Sequence, residues 1–113
     1  MLTHAILSEV GSRKINEDGV GVKDGPFGVL FALADGLGGH GQGEVASALA
    51  IQGALATFSS PDLTRESLLP LCVTNAQNLI IDEQRKQGLA DEIKTTLTLL
   101  HIRGDIARWA HVG

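Results

Sequence analysis

A chain of 113 residues, 43% of them hydrophobic, has room for one small core, and burial of roughly two-thirds of its unfolded surface leaves little margin. The formal net charge of -4, with no basic cluster in the sequence, excludes the counterion-displacing surface that nucleic acid or an anionic membrane requires. Cys72 is the only cysteine, which excludes a disulfide framework, a CxxC pair and a thiolate zinc site; it is expected inside a helix as a small apolar residue. The first 18 residues lack a basic stretch followed by an apolar core, and no apolar run reaches the length of a membrane span, so the expected compartment is a reducing cytoplasm.

Residues 2–10, LTHAILSEV, read as a first strand ending at Gly11. Val20 to Lys23 and Val29 to Ala34 flank Asp24-Gly25-Pro26, a turn composition, and predict a hairpin. From Gln42 to Phe58 apolar residues recur at helical spacing on nearly every face, which predicts a helix buried on more than one side. Ser59-Ser60-Pro61-Asp62 ends it. A second helix is expected from about Thr64 to Gln87, with Leu68, Cys72, Ala76, Leu79 and Ile80 on one face, and Gly88 at its C-terminus. Pro70 implies a late start or a kink. Thr95 to Ile102 and Ile106 to Val112, around Arg103-Gly104-Asp105, predict a closing hairpin.

The stretch richest in chemistry is Phe27 to Ser47, where an apolar run ends in Asp35-Gly36 and five glycines fall within residues 36–43. Gly36, Gly38 and Gly41 spell G-x-G-x-x-G, the dinucleotide fingerprint, but a second long helix follows where that fold needs a parallel strand. A fixed carboxylate at position 35 would also repel pyrophosphate from the helix N-terminus. A divalent cation accounts for the acids better. Glu17 and Asp18 precede the first hairpin strand and Asp35 ends the second, so antiparallel pairing converges all three at one end of the sheet. Three carboxylates repel unless a cation sits among them, and oxygen donors without cysteine or clustered histidine favour Mg²⁺ or Mn²⁺. Gly36 can offer its carbonyl, and Arg13 a planar cationic fork suited to phosphate.

Arg13-Lys-Ile-Asn16-Glu17-Asp18, Ala34-Asp35-Gly36-Leu-Gly38-Gly39-His40 and Gly43-Glu44-Val-Ala46-Ser47 resemble, in residues and spacing, the opening motifs of the bacterial metal-dependent phosphatases of the protein phosphatase 2C family. Thr95-Thr96-Leu97-Thr98 and Trp109-Ala110-His111-Val112-Gly113 resemble two later blocks, so the likeness spans nearly the whole chain. The resemblance implies an α+β fold, an αββα sandwich of antiparallel sheets with two long antiparallel helices. It further implies a phosphatase acting on phosphoserine and phosphothreonine of proteins, opposing a Ser/Thr kinase, with two Mn²⁺ or Mg²⁺ ions activating a water. Carried over, Asp35 is similar to the carboxylate bridging both metals, Glu17 and the Gly36 carbonyl to ligands of the second, Asp18 to the holder of metal-bound water, and Arg13 to the phosphate-binding residue. His40 matches the bacterial variant of the proposed general-acid position; animal members carry their histidine directly after Asp-Gly, where this chain has Leu37.

His4, His101 and His111 are expected to be structural or exposed, Thr95 and Thr96 to be β-formers at a strand start, and Glu44 and Ser47 to serve the first helical turn. Family domains are about twice as long and continue beyond the glycine that Gly113 resembles with further metal-binding aspartates. Residues 1–113 are therefore expected to be the N-terminal portion of a single phosphatase domain, with an open sheet edge that favours self-association or pairing with the complementary half. The alternative is a noncatalytic interaction or regulatory module retaining half of the fold.

Overall fold

In the computed structural model residues 18–38, 42–60, 63–88 and 94–113 are described; the strand expected at 2–10 lies outside them. The elements are β1 (Asp18–Gly25), β2 (Gly28–Leu37), α1 (Gln42–Phe58), α2 (Leu68–Gln87), β3 (Lys94–Thr95), β4 (Leu97–Arg103) and β5 (Ile106–Val112). Their order is hairpin, two helices, hairpin, as expected, and the class is α+β.

All the strand pairs are antiparallel and the sheet runs β1-β2-β4-β5, with β3 paired to the far end of β2. Strand alternation sends Leu30, Ala32 and Ala34 of β2 and Leu97, Leu99 and His101 of β4 toward the helices, where all six are buried. The opposite face carries Val22, Phe31, Leu100 and Trp109 in one cross-strand row and Val20 and Leu33 in the next. Among the described residues nothing covers the apolar middle of that outward face, where Leu33 is 54% and Trp109 74% exposed. β1 and β5 are the sheet's edge strands among the described residues.

α1 has the bounds the periodicity predicts and is buried on two sides, against β1 and β2 and against α2. Its small residues let α2 approach closely. A Cβ on Gly53 would stand 2.8 Å from the Ala76 Cα, so the helices cross here at backbone distance. Around that crossing the Thr57 hydroxyl donates to the Gly53 carbonyl at 2.7 Å and accepts from Asn75 Nδ2 at 2.8 Å, while the Cys72 thiol donates to the Ala54 carbonyl at 3.4 Å. Cys72 is buried as expected, and burial pushes its thiol up to about 11.

α2 starts four residues later than the sequence pattern suggests. Pro70 is its third residue, in the first turn, where the N–H it lacks would have no helical partner. The turn before it is held by Thr64 and Ser67, whose hydroxyls and N–H groups hydrogen-bond each other at 2.8–3.1 Å. Gly88 closes the helix at φ 64, the left-handed conformation that glycine adopts without strain. Among the described residues no helix is long and apolar enough to cross a membrane.

Candidate metal centre

The hairpin turn at Gly25–Gly28 fixes the register of β1 against β2, and that register makes Asp18 and Asp35 direct cross-strand partners. Alternation puts both on the outward face, at the end of the sheet away from the turn, and both are exposed. Like charges directly opposite each other disfavour a strand pair, and a cation bound beside both would offset that. The donors here are hard oxygens, the set that Mg²⁺ and Mn²⁺ take.

At Asp35 the structure differs from the sequence reading. β2 does not end at Asp35 but runs on through Gly36 to Leu37, because Gly36 and Leu37 pair with Thr95 and Lys94 of β3. Gly36 is buried between two exposed neighbours. The glycine bend therefore begins after position 37, and Asp35 stands on regular strand.

Thr96 fastens that strand. It interrupts the run from β3 to β4, and its N–H donates to the Asp35 carbonyl at 3.0 Å while its hydroxyl accepts from the Asp35 N–H at 3.1 Å. Sequence reasoning assigned Thr96 only β-propensity; the available signal was a hydroxyl residue at the junction of two strand-like runs. Thr96→Val is expected to lower stability by about 1 kcal/mol, since the Asp35 N–H loses its acceptor. Thr96→Ser should retain it, and paired urea denaturation curves check both.

Asp18, Asp35 and Gly36 are thus brought together, whereas Arg13, Glu17 and His40 lie outside the described residues. Among the described residues no group of three or more histidines, cysteines or carboxylates is assembled. His111 is exposed, its Nδ1 2.7 Å from the Thr98 hydroxyl, and His101 is buried with its Nε2 donating to the Phe27 carbonyl at 2.6 Å; neither joins the carboxylates. Glu44 occupies the first turn of α1, and the Ser47 hydroxyl donates to its carbonyl at 3.1 Å. A cavity of about 480 Å³ opens on the helix side, bounded by Asp35, Ala76, Ile80, Thr95 and Leu97, with walls that are largely apolar.

The sequence profile of protein phosphatase 2C matches residues 8–113. Among solved structures, the catalytic domain of the serine/threonine protein phosphatase PstP in complex with two manganese ions is 34% identical, with a TM-score of 0.78, over 95% of this chain and 46% of that one. The Mycobacterium tuberculosis serine/threonine phosphatase PstP/Ppp is 31% identical with a TM-score of 0.75, over 94% of this chain and 43% of that one. A serine/threonine phosphatase of S. agalactiae is 27% identical with a TM-score of 0.74, over 95% and 46%. A search of curated proteins brings no match. The chain spans less than half the length of these three solved chains. With the profile covering nearly all of the sequence, and the hairpin that opposes Asp18 to Asp35 formed on the same fold, the chain belongs to the protein phosphatase 2C family.

Proposed function

We infer that the chain is the N-terminal portion of a single metal-dependent phosphatase domain acting on phosphoserine and phosphothreonine in proteins. The observation that carries this reading is the cross-strand opposition of Asp18 and Asp35 in a chain of this family. Two Mn²⁺ or Mg²⁺ ions, when bound, supply a nucleophilic water at neutral pH and neutralise charge on the phosphoryl oxygens. The protein's part is placement. Asp35 would be a ligand of both ions, Glu17 and the Gly36 carbonyl ligands of one of them, and Asp18 would hold a water beside them. Arg13 would hold the substrate phosphate bidentately, with His40 as proton donor to the leaving group. The partner is a phosphoprotein made by a Ser/Thr kinase.

A first ion held only by Asp35 would have too few protein ligands to bind well, since affinity for hard cations rises with carboxylate count. The uncovered face with Leu33 and Trp109 exposed, together with a span under half that of the matched chains, supports a longer domain whose remainder covers that face and adds ligands. The same exposed face favours a second reading, a noncatalytic module that docks a partner there. Manganese-dependent hydrolysis of p-nitrophenyl phosphate by the 113-residue chain and by a version extended past Gly113 separates the two. Turnover by the extended form alone supports the phosphatase portion; inactivity of both supports the module.

A further inference from the structure

Charge is unevenly placed along the strands. Asp18 and Asp35 occupy one end of the sheet, whereas four of the chain's nine basic residues, Lys23, Arg65, Arg103 and Arg108, gather at the other. The sequence shows no such cluster because the register builds it: Lys23 pairs with Leu30, Leu30 with His101 and His101 with Arg108, which puts Lys23 and Arg108 in one helix-side row with His101 between them. Arg103 follows His101 by two residues on the same face, its guanidinium carbon 5.9 Å from the centre of the Phe27 ring. Arg65 comes from the turn before α2, and its carbonyl accepts a hydrogen bond from Arg108 Nη1 at 3.1 Å.

A cavity of about 70 Å³ opens inside this cluster, bounded by Phe27, Thr64, Arg65, Leu68, His101 and Arg103. His101 is its buried wall, 5% exposed, fixed by its bond to the Phe27 carbonyl and by the edge of Phe58 at 5.7 Å. Among the described residues no carboxylate lines the cavity; Glu66 lines the neighbouring groove instead, with Arg65 and Arg108. Lys23 is engaged by the Ser59 hydroxyl. Two arginines line this largely apolar cavity and no carboxylate of the described residues does, so an anion is favoured there, and a planar guanidinium fork matches an oxyanion. The volume holds about two waters at roughly 30 Å³ each, so the fitting anion is small.

We propose that this cavity binds a small oxyanion of the phosphate class, held by Arg65 and Arg103. It is separate from the carboxylate pair: Leu30, the partner of His101, is five residues from Asp35 along β2, roughly 17 Å at strand rise. The proposal does not rest on the phosphatase reading. Titration of the chain with inorganic phosphate at fixed ionic strength, followed by the Nε–Hε signals of its arginines, tests it. The expected result is saturable shifts of Arg65 and Arg103 in the millimolar range, kept in Asp35→Asn, whereas the Arg103 signal in Arg65→Gln and the Arg65 signal in Arg103→Gln should need several-fold more phosphate to shift, with the circular dichroism of all three variants unchanged. Arg65→Gln alone should weaken binding several-fold. Linear shifts matched by chloride, or shifts confined to Arg13, would overturn the proposal. So would saturable binding that arises only in Asp62→Asn. O-phosphoserine should bind more weakly than free phosphate, and equal or tighter binding would contradict the size argument.

Discussion

Asp35→Asn is expected to abolish manganese-dependent phosphatase activity in a chain extended past Gly113, by more than ~100-fold, because even outer partners of metal ligands are typically worth 10–100-fold. The substitution is nearly isosteric, and the backbone groups that Thr96 holds are unchanged by it. The fold should therefore survive. Rates on p-nitrophenyl phosphate against manganese concentration, with a urea midpoint for each protein, separate lost chemistry from lost structure. A variant that keeps both its midpoint and its rate would remove Asp35 from the metal centre.

Gly53→Val should have the largest effect on stability. The added Cβ alone would meet the Ala76 Cα at 2.8 Å and its N at 3.0 Å, and backbone of α2 cannot step aside as a side chain can. Overpacking costs typically ~1–3 kcal/mol, and separation of the helices would also strain the Asn75–Thr57 and Cys72–Ala54 hydrogen bonds, which adds about 1 kcal/mol each. Against a usual total of ~5–15 kcal/mol, a loss of about 3–5 kcal/mol is a large share of the stability of a small domain. Replacing this glycine by alanine should do less harm, because the gain in helix propensity of about 1 kcal/mol opposes the clash. Denaturant midpoints in the order wild type, Gly53→Ala, Gly53→Val are the expected result; a wild-type midpoint for the valine variant would refute the close crossing.

What could be read from the residues follows from which forces are local. Asp24-Gly25-Pro26 and the apolar runs beside it announced the first hairpin, and the all-round apolar pattern of Gln42–Phe58 announced a helix packed on two sides. The antiparallel return of that hairpin was enough to bring Asp18 beside Asp35, though not to say that they are direct partners, which depends on the turn's register. The extension of β2 through Gly36 to Leu37 could not be read locally, since its partners, Lys94 and Thr95, stand nearly sixty residues away. For the same reason Thr96 passed as a simple β-former, although it holds both backbone groups of Asp35. The basic cluster around His101 was hidden in the same way, its members spread from Lys23 to Arg108 and joined only by strand pairing. The uncovered row of Val22, Phe31, Leu100 and Trp109 was legible only as alternation, because nothing in those runs says which face meets the helices.

The central claim is that Asp18 and Asp35, opposed across one hairpin, belong to a metal centre. Calorimetric titration of Mn²⁺ into the chain extended past Gly113 tests it most directly, with Asp35→Asn and Asp18→Asn alongside. Two ions bound by the wild-type protein, with affinity sharply reduced in Asp35→Asn and weakened in Asp18→Asn, is the predicted result. Unchanged stoichiometry and affinity in both variants would contradict the account.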